Sequence, residues 1–332
     1  MDLEDFDAVF RGSETGYDKD TVDEILQNQG QLGGKLFFQR LLELLGIKWR
    51  KVYPPPTTAA LHDLHARIIS APISLHNKQC LLFYILKDLT PSYQDQTELA
   101  SAFASSVHLE KRFWTFLEGL WALDHLELET AVGYLTHPFI IPTFPDEIML
   151  ALLNQRLMPE GVTNAEYVLP MAYYNCAKPP LVCEAAKTEF VRYMADRDVT
   201  ETFYWIRGRP DHERRQLLEV LVEETLEPPI QRISNEAYAR EDRAEEFVSL
   251  PFDAVEEAWV EAFLTEGKGR NYRGAQDTVI MRRMATGRLR DAVGDRQVKG
   301  KRIEHVNWDV LKDGVRRGLG PRKDEVNPFP TS

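Results

Sequence analysis

The chain has 332 residues, 43% of them hydrophobic, and a formal net charge of −12, which is enough apolar material for one large domain or two modest ones. Its longest apolar run, Cys80–Leu86, falls far short of the roughly 20 residues of a membrane helix. The acidic start MDLEDFDAVF carries no signal-peptide core, so no membrane span and a nuclear or cytosolic chain are expected.

In chain order, residues 1–19 form an acidic N-terminal arm ahead of the first periodic segment. Helical spacing then runs through residues 20–267. TVDEILQNQG ends at Gly30, and KLFFQRLLELLG places Phe37, Leu41, Leu44 and Leu45 on one face before Gly46, the residue type that commonly stops a helix. YPPP at 53–56 breaks the pattern, because proline removes the helical donor. TAALHDLHARIIS resumes it with Leu61, Leu64 and Ile68, and LHNKQCLLFYILKDL is apolar nearly all round, as a central buried helix should be.

In FWTFLEGLWALDHLELETAVGYLTHP, residues Phe113, Phe116, Leu117, Leu120 and Trp121 line one face. The spacing Asp124-x-x-Glu127 predicts a capping box opening the next helix, whose buried face is Leu128, Ala131, Val132 and Leu135. FPDEIMLALLNQRLM follows, then NAEYVLPMAYYNCA interrupted by Pro170, LVCEAAKTEFVRYMA, VTETFYWIR, DHERRQLLEVLVEETL and DAVEEAWVEAFL. No period-2 alternation with hairpin turns occurs. The fold expected is all-α, an α-solenoid-like block of about a dozen stacked antiparallel helices.

Charge is divided unevenly. Residues 1–267 hold 24 Lys+Arg against 44 Asp+Glu, whereas residues 268–323 hold 16 against 6. Residues 268–332 are expected to form a basic, partly disordered tail, with a short docking helix at 303–318 where Ile303, Val306, Val310 and Leu311 recur near Trp308. Arg282, Arg283, Arg288, Arg290, Lys299, Lys301 and Arg302 suit an import signal, a protein-docking peptide or weak nucleic-acid contact, or a solvated tail with no partner.

Catalysis has no foothold in the sequence. Asp124-His125 lacks a neighbouring nucleophile, metal or oxyanion donor. His62 and His65 sit at i, i+3 with no further ligand cluster, and no phosphate loop, dinucleotide fingerprint, nucleophile elbow or HExxH occurs. No catalytic, cofactor-binding or metal site is assigned, and no small-molecule substrate is expected. Cys80, Cys176 and Cys183 form no CxxC and are expected to be reduced, buried hydrophobes. RGRP at 207–210 has the core of a minor-groove hook, but its flanks favour a turn between helices.

The stretch FWTFLEGLWALDHLELETAVGYLTHPFIIPTFPDEIMLALL resembles the ELYS-like domain of nuclear pore proteins. The elements that match are the aromatic helix with Trp121, the turn Leu123-Asp124-His125, the Ala131/Leu135 helix ending at Pro138, and the helix after it. The similarity extends over roughly residues 30–265. It implies a structural nucleoporin at the nuclear envelope, a non-enzyme that binds the Y-shaped scaffold subcomplex and supports pore assembly and nucleocytoplasmic transport of mRNA and protein. Animal members are longer, with a propeller and a chromatin-binding region, so this chain looks like the short fungal-type form. The alternative is a chromatin- or nucleic-acid-binding adaptor acting through the basic tail.

Overall fold

The computed structural model describes residues 1–10, 16–89, 99–154, 168–226 and 240–288, together with Ala292 and Arg317. Sixteen α-helices and no strand occur among them, so the chain is all-α. It divides into two compact units, Met1–Leu181 and Val182–Ser332.

The first unit contains α1 (Phe6–Phe10), α2 (Lys19–Gln31), α3 (Phe37–Leu44), α4 (Thr58–Ser70), α5 (Leu75–Leu89), α6 (Leu99–Ser106), α7 (Lys111–Asp124), α8 (Leu128–Leu135), α9 (Pro145–Asn154) and α10 (Leu169–Ala177). Several starts are set by local side chains. Asp18 accepts from the Thr21 amide at 2.7 Å, and Thr57 from the Ala60 amide at 3.2 Å, each satisfying a donor the helix itself leaves open. Pro170 occupies the first turn of α10, where its missing N–H costs nothing, so it opens that helix instead of interrupting it. Helix α5 is the hub. Leu81, Leu82, Phe83, Ile85 and Leu89 are fully buried, and α4, α6 and α7 pack around it.

The described part of the acidic N-terminal arm is docked on the first unit. Leu3, Phe6, Val9 and Phe10 are buried. Phe6 stacks on His62 with ring centres 3.5 Å apart, and His65 Nε2 donates to the Leu3 carbonyl at 2.9 Å. The sequence pattern hid this because the helix involved has five residues, too few to show a period.

Helices α7 and α8 form a tight corner. The Glu127 amide donates to the Ala122 carbonyl at 2.8 Å and the Leu126 amide to the Leu123 carbonyl at 3.1 Å, with Leu126 at a φ of 61°; this is the Schellman pattern that ends a helix and reverses the chain. Gly119 lets α8 approach. A Cβ there would lie 2.7 Å from Leu135 Cγ and 2.8 Å from its Cδ2. Gly119→Val is therefore expected to destabilise the chain by about 1–3 kcal/mol through overpacking, read as a lowered thermal midpoint with unchanged helical content.

The second unit contains α11 (Glu184–Ala195), α12 (Val199–Arg207), α13 (Asp211–Leu226), α14 (Arg240–Ser249), α15 (Ala254–Thr265), a 3₁₀ turn at Lys268–Asn271 and α16 (Ala275–Ala285). Its core joins Phe203, Leu217, Leu221, Val222, Phe247, Leu264 and Val279. Asp253 accepts from the Val255 and Glu256 amides at 2.8 Å each, while Glu256 accepts from the Asp253 amide at 2.9 Å, a complete capping box. Residues 268–285, expected in the basic tail, instead supply a turn and a helix that packs on α14 and α15. Ala275, Val279 and Ile280 are buried. These apolar residues are sparse among arginines, and composition alone concealed them. The docking segment expected at 303–318 lies outside the described residues, apart from Arg317.

Cys80 is buried, and burial pushes its thiol up to about 12. Cys176 and Cys183 are exposed, contrary to the buried reading. Among the described residues no helix is long and apolar enough to cross a membrane.

Candidate functional site

Asp124 is the last residue of α7 and is buried. Its carboxylate accepts from the Phe37 amide at 2.6 Å, the Phe38 amide at 2.9 Å and the Tyr84 hydroxyl at 2.7 Å. The expected capping box does not form: α8 begins at Leu128 with no side-chain cap from Glu127. Asp124 caps a different helix, α3, from 87 positions away, because the residue before α3 is Leu36, which has no oxygen to offer. A buried helix start needs such an acceptor.

A second carboxylate lies alongside in α5. Asp88 accepts from Tyr53 at 2.7 Å, Tyr17 at 2.9 Å and Trp121 Nε1 at 2.8 Å. Phe38 stacks on Tyr84, centroids 4.1 Å apart. His125 stacks on Trp121 at 3.8 Å and donates through Nδ1 to the Trp121 carbonyl at 2.9 Å. The motif residues Trp121, Leu123, Asp124, His125, Ala131 and Leu135 thus join one packed corner, with Leu123 and Ala131 fully buried; Pro138 is exposed in the loop beyond it.

Burial dominates the electrostatics of this cluster. It lifts Asp124 to about 6 and raises Asp88, against hydrogen bonds that favour the anions. Burial also raises Tyr17, Tyr53 and Tyr84 well above the usual tyrosine range, with the neighbouring carboxylates adding to the effect. The three phenols therefore keep their protons and donate them as hydrogen bonds. Every carboxylate oxygen is engaged with a helix end or an aromatic donor, which is the arrangement of a structural network.

The remaining polar motifs are also absorbed by the fold. His65 is pushed down by burial and is held by Leu3. Among the described residues, no three His, Cys, Asp or Glu side chains gather as metal ligands. Gly208 ends α12 and Pro210 precedes α13. Arg207 pairs with Glu256 at 2.8 Å and donates to the Pro251 carbonyl at 2.9 Å, while Arg209 lies 4.4 Å from the Trp205 ring centre. RGRP is a structured interhelical turn, and its first arginine is committed to a carboxylate.

Three of the candidate tail residues are likewise built into the second unit. Arg282 donates to the Val248 and Leu250 carbonyls at 2.6 Å each, pairs with Glu257, and lies 4.1 Å from the Phe252 ring centre. Arg283 pairs with Glu261. Arg288 reaches Glu261 at 2.9 Å and Glu257 at 3.0 Å. Glu257, Glu261, Arg283 and Arg288 line a groove of about 990 Å³ beside α15 and α16. Arg290, Lys299, Lys301, Arg302 and Trp308 lie outside the described residues.

The surface of the first unit carries features that sequence reasoning passed over. Tyr134, Phe139 and Ile141 are exposed. Tyr134 also borders a groove of about 690 Å³ lined by Ala104, His108, Lys111 and Trp114. The available signal was the absence of any Asp, Glu, Lys or Arg from residue 130 to 145.

Comparison with known proteins agrees with the resemblance read from the corner. A Schizosaccharomyces pombe protein, described as uncharacterized protein ely5, is 29% identical over 153 residues, which is 46% of each chain. The alignment thus spans about half the length of that relative. Residues 35–267 match the ELYS family, described as nuclear pore complex assembly; the matched span includes the whole Asp124 corner and stops short of α16. With more than two thirds of its length in that match, the chain belongs to the ELYS nuclear pore complex assembly family.

Proposed function

We propose that the chain is a non-enzymatic scaffold nucleoporin that docks on the Y-shaped subcomplex at the nuclear envelope, supporting pore assembly and, through it, nucleocytoplasmic transport. The observation that carries this reading is the family match across residues 35–267. The local chemistry supports it: Asp124 and Arg282 are spent on helix ends and Asp88 on buried aromatic donors, as in a scaffold whose function lies on its outer faces. Full-length protein mixed with Y-complex reconstituted from purified subunits is expected to co-elute as one species in size-exclusion chromatography. Separate elution at micromolar concentrations of both would overturn the reading.

The adaptor alternative draws no support from Arg282, Arg283 and Arg288, whose guanidinium groups face glutamates. A phosphate backbone would have to displace Glu257 and Glu261 to reach them.

A further inference from the structure

Residues 1–10 have the composition of a solvated arm and the seating of a ligand. Asp2, Glu4, Asp5 and Asp7 face solvent, while Leu3, Phe6, Val9 and Phe10 are buried. The two phenylalanines, four positions apart on α1, share a face, with ring centres 4.7 Å apart. They enter a notch on α4. The Phe6 ring lies flat on His62 at 3.5 Å and edge-on to His65 at 5.5 Å, and the Phe10 ring meets His65 edge-on at 5.8 Å. His65 Nε2 holds the Leu3 carbonyl at 2.9 Å, and from α6 the Ser106 hydroxyl donates to Met1 Sδ at 3.7 Å.

The acids give the arm its shape. Asp2 accepts from the Glu4 amide at 3.0 Å, and Asp5 from the Asp7 and Ala8 amides at 3.0 and 3.4 Å. These carboxylates close turns that so short a helix leaves open. A helix of five residues has no stability of its own in water, so seating on α4 completes it. An amphipathic turn laid into a groove by apolar anchors is a recurring way for one protein segment to bind another.

The notch and its occupant differ in origin. Helices α4 and α6 lie within the family-matched span 35–267, and residues 1–10 lie outside it. The notch is part of the domain, and the arm is an addition to it. His62, the outer wall of the notch, is itself exposed, so the seat is reachable from solvent. Short segments seated on a surface in this way open at a lower free energy than the helices of the core.

We propose that the His62/His65 notch is a docking site for a short acidic segment of a partner protein with two aromatic side chains four residues apart, and that residues 1–10 fill it in cis until such a segment displaces them. The site does not depend on which subcomplex the chain joins, so it stands or falls apart from the docking function proposed above. The test titrates a fluorescent peptide of residues 1–10 with full-length protein, unaltered and as Phe6→Asp/Phe10→Asp, whose arm does not seat. The altered chain is expected to keep a cooperative melt and to bind the peptide about tenfold or more tighter than the unaltered chain, whose notch is filled. His62→Ala added to the altered chain is expected to weaken that binding, and a peptide with the same two substitutions is expected not to bind. Equal binding of the peptide by the two chains, or binding indifferent to His62, would overturn the site. Hydrogen exchange on the unaltered chain needs no variant. The Val9 amide, which donates to the Asp5 carbonyl at 3.2 Å, is expected to exchange about a hundredfold or more faster than the buried amides of α5. Equal protection would make the arm part of the core and overturn the proposal, as would loss of the cooperative melt in the altered chain. A dimer of the unaltered chain that grows with concentration and is lost in the altered chain would assign the notch to the arm of a second copy and overturn the partner segment.

Discussion

Asp124→Ala is expected to lower the unfolding free energy by about 3 kcal/mol, since it strands buried donors and removes a helix cap at once. The Phe37 and Phe38 amides and the Tyr84 hydroxyl lose their shared acceptor. Part of that loss is offset, because burying the Asp124 charge is itself unfavourable, as its carboxyl held at about 6 records. Asp124→Asn separates the two effects, keeping one acceptor oxygen and removing the charge. A carboxyl raised on folding binds its proton more tightly in the folded state than in the unfolded one. The stability this gives is full below the unfolded value near 4 and is lost as pH rises through about 6. The advantage of the unaltered chain over Asp124→Asn should therefore be about 2 kcal/mol larger at pH 4.5 than at pH 7.5. His65 runs the other way: its folded value is lowered, so its contribution is lost as pH falls. It is present in both proteins and cancels in the difference. Urea denaturation at the two pH values measures all of this, and a pH-independent difference would sink the account.

Arg282→Ala should be costlier still, about 3–5 kcal/mol, the usual result of removing one partner of a buried charge pair. The guanidinium is almost wholly enclosed and serves the carbonyls at the end of α14 as well as Glu257. A lysine cannot replace it, because one ammonium does not reproduce a planar fork aimed at two carbonyls and a carboxylate. Arg288 is about a third exposed and pairs only at the edge, so Arg288→Ala should cost under about 1 kcal/mol. Thermal melts of Arg282→Ala, Arg282→Lys and Arg288→Ala give the comparison. Equal, small losses at Arg282 and Arg288 would mean that both belong to a solvated tail after all.

How far the fold could be read in advance follows from the range of the interactions. Helices α5 and α13 coincide with the segments expected, since apolar spacing and end signals are local. The spacing around Asp124 marks it as a cap but points to α8, because its true partners lie 86 and 87 positions earlier and no local pattern encodes that. The arginines of α16 read from composition as part of a basic tail. Their acceptors, Glu257 and Glu261, are four residues apart on α15, a spacing that puts both on one face and that could have nominated them. Asp88 drew no attention, because a single acid in an apolar helix gives no hint of the two tyrosines and the tryptophan that converge on it.

The distance between Asp124 and the start of α3 also has a meaning in time. During synthesis, the amides of Phe37 and Phe38 are made long before the carboxylate that serves them. At 5–20 residues per second the ribosome needs roughly 4–17 s to add the intervening chain. Until then the start of α3 has only Gln39, which accepts from the Leu36 amide at 3.1 Å, and Tyr84 waits without its acceptor. The contacts that tie α3 and Tyr84 to α7 can form only after α7 has emerged, so the corner around Asp124 is completed late in synthesis.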